Sequence, residues 1–160
     1  MTKNRKEELF NHIRNGNLQG VEGLLQTDPV LLETQDQRGS TPLLLAAYYG
    51  HSDIVRSLLN KGAKVDALDG SGNTALMGVC FKGYTGIAET LINAGASVNV
   101  KNAMGATCLI YAVTFNRKDM AELLLKNGAD ATVKDARGKS AMDHVVEQGI
   151  TEMQELLKKY

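Results

Sequence analysis

The chain has 160 residues, of which 43% are hydrophobic and 22% charged, the proportions of one soluble globular domain and not of a disordered chain. Its 18 Lys and Arg are matched by 18 Asp and Glu, which argues against a nucleic-acid binder, since phosphate binding draws on clustered excess Lys and Arg, and gives no support to an anionic membrane surface. No apolar run approaches the ~20 residues of a membrane-spanning helix, and no apolar segment follows the basic opening to make a secretory signal. Two cysteines, Cys80 and Cys108, are too few for a disulfide framework and lack metal-ligand spacing. The expected setting is a reducing cytoplasm, with no metal and no cofactor.

The organising feature is self-similarity. The first unit, about 2–35, carries Leu9, Gly16, Leu24 and Leu25, which lie 34 residues before Leu43, Gly50, Leu58 and Leu59. Its one extra residue is expected in the loop around Asp28 and Pro29. The second unit, 36–68, opens Asp36-Gln-Arg-Gly39-Ser-Thr41-Pro-Leu43, and the pattern returns every 33 residues. The third, 69–101, opens at Asp69 with Gly72 and Thr74. The fourth, 102–134, opens at Asn102 with Gly105 and Thr107. The fifth, 135–160, opens at Asp135 with Gly138 and Ser140.

Within each unit the residues predict two short helices. Thr41, Thr74, Thr107 and Ser140 stand where an N-cap oxygen is wanted, and Pro42 follows at the first helical position, where its missing N–H costs nothing. The first helix stops at Gly16, Gly50, Gly83 or Gly149, the expected left-handed residue, with Asn116 as the next best tolerated substitute in the fourth unit. A second helix carries Ile54, Val55, Leu58 and Leu59 at helical spacing, then Ile87, Ala88, Leu91 and Ile92 as its copy. It ends at Gly62, Gly95 or Gly128. Turn and cap positions thus absorb 11 of the 16 glycines, and no phosphate-binding loop is needed to explain them.

Taken together, Asp36-x-x-Gly-x-Thr-Pro-Leu-x-x-Ala-Ala-x-x-Gly-His51-x-x-Ile-Val-x-x-Leu-Leu-x-x-Gly-Ala63 resembles the ankyrin-repeat consensus over nearly the whole chain. The resemblance implies an all-α solenoid: helix pairs joined by β-hairpin loops and stacked in a slightly curved array, here five units in a single domain, 1–160. One departure is that the consensus His after Pro-Leu is replaced by Leu44, Met77, Ile110 and Asp143, which removes the hydrogen bonds that His usually makes. The end units read as polar caps. Lys3, Asn4, Arg5, Lys6, Glu7 and Glu8 lead in, and Gln154 and Lys158 replace the apolar Val55/Leu59 pair of the second unit. The expectation is a self-contained monomeric stack.

The same resemblance implies a protein–protein interaction module that binds through hairpin tips and the exposed ends of first helices. By position these include Arg38, Met104 and Arg137 at tips, Lys101 and Lys134 on hairpin returns, and Tyr48, Tyr49, Phe81, Lys82 and Phe115 on first helices. Four of the eight aromatics fall on those helix positions, and aromatics are enriched at interface hot spots. Leu44, Met77 and Ile110, one turn earlier, would extend the stripe. The competing view is that these rings only pack on one another. The charge of the face leans basic, so the expected protein partner has an apolar centre and an acidic rim. An inhibitor or immunity-type protein that covers a partner enzyme is the alternative, and an unrecognised enzyme a distant one.

No catalytic constellation emerges. His51 fills the consensus Gly-His position, a structural one. His144 follows Asp143, but adjacent helix residues do not face each other, so no orienting carboxylate is expected. Cys80 reads as a small buried hydrophobe. Cys108 begins a helix, whose dipole would lower a thiol pKa, and is the one candidate reactive group. Gly78 sits inside a first helix at a cost of ~1 kcal/mol relative to Ala. With Gly70 and Gly86 nearby it makes the third unit the softest of the stack. Hydrogen exchange is expected to show the helices of the third unit less protected than those of the second.

Overall fold

A computed structural model describes residues 2–160, with side chains from Asn4 onward, so Lys3 of the polar lead-in lies outside the described side chains. The ten α-helices fall in five pairs: α1 (Thr2–Arg14) and α2 (Leu18–Thr27), α3 (Pro42–Tyr48) and α4 (Ser52–Asn60), α5 (Ala75–Lys82) and α6 (Thr85–Asn93), α7 (Cys108–Thr114) and α8 (Lys118–Lys126), α9 (Ala141–Gln148) and α10 (Thr151–Lys158). The extra residue of the first unit is taken up in a 3₁₀ turn, Pro29–Glu33. Helices of seven to nine residues are too short to persist alone in water, so their ends and their neighbours must hold them.

The ends are held by side chains. The hydroxyls of Thr41, Thr74 and Thr107 accept from the backbone N–H of Leu44, Met77 and Ile110, and Ser140 forms a reciprocal capping box with Asp143. The glycines with left-handed backbone are the 11 that the repeat assigns to turns and caps, and Asn116, at φ 54°, is the sole other residue among those described with positive φ. At Gly16, Gly50 and Gly83 a second reason for glycine appears. An added Cβ would come within 2.9 Å of the His51 ring, 3.1 Å of the Tyr84 ring and 3.1 Å of Arg117 respectively. Those three residues open the second helix of the following unit, so each unit lies against the turn of the one before it.

Between units, the first helices form an inner row, α1, α3, α5, α7 and α9. The second helices α2, α4, α6 and α8 form an outer row whose members pack less closely. Small buried residues at the inner row (Ala46, Ala47, Cys80 and Ala112) allow the approach, and the core runs between the rows through Leu43, Ile54, Leu58, Leu76, Leu91, Leu109, Met120 and Leu124. Closer inner packing curves the stack toward the first helices. A side-chain ladder ties the outer loops: Glu33, Asp66 and Asn99 accept from the backbone N–H of Lys64, Ser97 and Asp130 at 2.8, 3.0 and 2.8 Å.

The connecting fingers are tight hairpin turns, with Asp36 N donating to Ser40 O and Gly39 N to Asp36 O at 3.0 Å each, and they are too short for a strand to form among the described residues. In the second unit Asp36 Oδ1 accepts from both Arg38 N and Ser40 N, at 2.9 Å each, so a side chain satisfies donors that a ladder would otherwise pair. One backbone bond, from Gly70 N to Arg38 O at 3.0 Å, joins this finger to the next. At the far end Lys158 is exposed, Gln154 half-buried, and Met153, Leu156 and Leu157 face inward.

Gly78, inside α5, has open space: a Cβ added there would meet only the Tyr48 ring, at 3.9 Å. Gly78→Ala is therefore expected to raise the unfolding free energy by about 1 kcal/mol, read as a higher urea midpoint at unchanged slope.

Candidate functional site

The concave side of the stack forms an open groove of about 1130 Å³, bounded by the first helices of the first four units and the fingers of the second and third. Tyr48, Tyr49, Phe81 and Phe115 all line it and keep between 39% and 44% of their surface exposed. They are also paired: Tyr48 and Tyr49 meet edge to face at 5.9 Å, and Phe81 and Phe115 at 4.6 Å. Ring packing and solvent exposure thus coexist, because an edge-to-face pair orders both rings and leaves a face or edge of each open. Lys82 Nζ rests 4.5 Å over the Tyr48 ring, which fixes this lysine at the groove edge.

The remaining expected positions divide. Arg38 is exposed and lines the groove. Met104, Lys101, Lys134 and Arg137 are exposed but do not line it, because they sit on fingers and returns of the last two junctions. Leu44, Met77 and Ile110 are buried, at 7%, 1% and 4% exposure; Leu44 and Met77 still line the floor of the groove beneath the rings, whereas Ile110 does not line it. Lys139, at the fifth finger, is bound by Glu147 at 2.6 Å.

Two readings of titratable groups are corrected. Cys108 is fully buried against Cys80, itself fully buried, so the thiol at the start of α7 offers no reactive surface. Burial, reinforced by the neighbouring Cys108 thiol, pushes the Cys80 thiol well above its ordinary range. His144 does have an orienting carboxylate. It comes from the finger rather than from Asp143, with His144 Nε2 2.7 Å from Asp135 Oδ2. Burial alone would raise the Asp135 pKa, but hydrogen bonds from Lys139 N, His144 and Arg137 N, with the imidazole charge, together hold it below the usual carboxylate value.

The structure also shows groove residues that the aromatic pattern missed, among them Asp36, Asp69 and Tyr111. Tyr111 and His144 occupy one repeat position, which holds Leu45 and Gly78 in the second and third units. The change of chemistry at that position was the available signal. His51 keeps the structural role expected of it, with Nε2 3.3 Å from Arg14 O and its ring stacked on Tyr49. No group of three His, Cys, Asp or Glu converges to hold a metal, and no helix is long and apolar enough to cross a membrane, among the described residues.

A family model described as ankyrin repeats matches three times, over residues 9–102, 65–135 and 85–160. The chain belongs to the ankyrin-repeat family. Its helix pairs and its capped 33-residue step are therefore those of an ankyrin solenoid, and the repeats mark a protein–protein interaction module of a family that is typically non-catalytic. Among its relatives are the human oxysterol-binding protein-related protein 1 (36% identical over 78 residues, 43% of this chain and 8% of the relative) and the Xenopus laevis protein fem-1 homolog C (43% over 60 residues, 35% of this chain and 10% of the relative). The human ankyrin repeat domain-containing protein 29 is 42% identical over 53 residues, 33% of this chain and 18% of the relative. The matched stretches span less than a fifth of these relatives, so the likeness lies in the repeats themselves.

The Asp135–His144 pair gives the ankyrin stack a specific acid sensitivity. Because the Asp135 pKa is lower folded than unfolded, its contribution is present above the ordinary carboxylate range and is lost as pH falls through the depressed value. Asp135→Asn is expected to lower the urea midpoint at neutral pH and to flatten its decline between about pH 4 and 2, followed by helical ellipticity.

Proposed function

We propose that this ankyrin stack is a non-catalytic module that binds a protein partner along its concave face. The observation that carries the reading is a wide groove lined by four partly exposed aromatic rings on successive first helices. A ring that is already ordered by a neighbouring ring loses little side-chain freedom on binding, while it still offers a large apolar area. Tyr48, Tyr49, Phe81 and Phe115 are the anchors. Arg38 and Lys82 flank them, and Met104, Lys101, Lys134 and Arg137 extend the contact to the last fingers. Because these flanking groups are mostly cationic, the partner's rim is acidic where it meets them, which speeds encounter more than it strengthens the complex. We place the module in the cytoplasm as a monomer. Cys80 and Cys108, packed side by side, suit a reducing compartment.

The test is a paired pull-down, read by mass spectrometry. One bait is the wild-type chain, and the other carries Tyr48→Ala, Tyr49→Ala, Phe81→Ala and Phe115→Ala, checked first for an unchanged helical spectrum and melting transition. A protein retained by the wild type and lost at least tenfold on the variant is the expected result, since truncated aromatic hot spots cost about 2 kcal/mol or more each. Equal recovery on both baits would move the binding surface off the groove. Loss of a captured enzyme's activity on stoichiometric addition of the chain would make the module an inhibitor.

A further inference from the structure

The four fingers repeat one hydrogen-bond pattern and differ at one atom. In each, the Oδ1 of the opening residue accepts two backbone N–H groups: Asp36 from Arg38 and Ser40, Asp69 from Ser71 and Asn73, Asn102 from Met104 and Ala106, Asp135 from Arg137 and Lys139. The second side-chain atom points elsewhere. In the fifth unit Asp135 Oδ2 meets His144 Nε2 at 2.7 Å. In the fourth, Asn102 Nδ2 meets the Tyr111 hydroxyl at 2.7 Å and Asn73 Oδ1 at 2.9 Å. His144 and Tyr111 are the same repeat position, one step of 33 apart.

In the third unit that position is Gly78, so the chain supplies nothing to Asp69 Oδ2, and no hydrogen bond or ion pair to this oxygen exists among the described residues. The place is open rather than filled from elsewhere. A Cβ built on Gly78 meets only Tyr48, at 3.9 Å, and Asp69, Gly78, Tyr48, Phe81 and Tyr111 all line the groove. The second unit is different, because Leu45 occupies the equivalent position beside Asp36. Lys82, the cation over the Tyr48 ring, makes no ion pair with Asp69. An anionic oxygen in a groove that also holds the Tyr48, Phe81 and Tyr111 rings, beside the position where the fifth unit supplies the His144 donor, is complementary to a cationic donor side chain.

We infer that the groove, in the role proposed above, takes a partner segment with a cationic side chain that seats over Gly78 and donates to Asp69 Oδ2, as His144 does to Asp135. The inference rests on the groove being the binding face, and it adds the chemistry of the central anchor. A guanidinium fits the site best, since its planar donors reach a carboxylate while its face lies against a ring. The acidic rim groups proposed for the partner then lie outside this central contact, opposite the finger and helix-end cations.

Two experiments test it. In the first, Gly78→His places an imidazole where the fifth unit has one, at a position where any ordinary residue improves on glycine in a helix. Proton NMR should show that imidazole titrating about one pH unit above an unperturbed histidine and returning when Asp69→Asn is added. Asp69→Asn keeps the finger, because Asn102 makes the same turn. A titration unaffected by Asp69→Asn would overturn the assigned geometry. In the second, a phage-displayed library of random nine-residue peptides is selected on the intact chain. The expected peptides share an Arg, Lys or His among apolar residues and bind roughly tenfold or more weakly to both Asp69→Asn and Gly78→His. Peptides that lose binding to Tyr48→Ala with Phe81→Ala but not to Asp69→Asn overturn the cation site and leave the groove as the binding face. Peptides indifferent to all of these variants overturn both readings, and a selection that yields no binder overturns the cation site.

Discussion

No unit of this chain is thick enough to have an inside. A pair of helices of seven to nine residues packs its two members together but leaves further apolar surface for the next pair to cover, so the core is closed only when units stack. Everything else follows from that dependence. Residues that would be surface in an isolated hairpin, such as Ala46, Val79 and Ala112, are fully buried. The fingers, too short for a ladder of their own, are closed by an Asp or Asn side chain and joined to their neighbour by one backbone bond.

The same constraint makes the groove. Small residues on the first helices let the inner row close up further than the outer row, and the curvature gathers successive first-helix ends onto one side. Positions close to one 33-residue step apart thereby become neighbours in space, and Phe81 and Phe115, 34 residues apart at adjacent repeat positions, come to pack 4.6 Å apart. The four groove aromatics lie outside the buried core, which is aliphatic but for Phe10 and its sulfur-bearing side chains. They occupy the part of each helix that stacking leaves open, where sequence is free to serve recognition.

Periodicity made the fold legible because backbone geometry repeats with it. Thr41, Thr74, Thr107 and Ser140 announce helix starts, and glycines at fixed offsets announce stops, down to Asn116 in its left-handed turn. The site was legible only in part. Exposure of Tyr48, Tyr49, Phe81 and Phe115 followed from their offset, whereas Leu44, Met77 and Ile110, one turn earlier on the same helices, are almost wholly covered, and spacing alone does not tell how much of a groove floor the stack covers. Contacts across the finger were hidden for another reason. His144 and Asp135 are nine residues apart, in different elements, and meet only because a finger folds back over the helix that follows it. Cys108 misled because the start of α7, exposed in an isolated helix, is covered by α5 in the stack.

The contacts between units also have a direction. His51 reaches back to Arg14 O, Arg117 to Phe81 O and Gln148 to Thr114 O, and Lys64, Ser97 and Asp130 present their N–H groups to side chains of the preceding unit. In most of these bonds an acceptor of one unit is met by a donor of the next; Asn99 Nδ2 to Gly128 O and Lys118 Nζ to Glu152 run the other way. During synthesis, then, a unit that has left the ribosome still has open carbonyls and an uncovered apolar face until its successor follows. One unit of 33 residues takes about 2–7 s to make at about 5–20 residues per second. The stack consequently consolidates one repeat behind the growing chain, and its newest helix pair is always the one most in need of a chaperone.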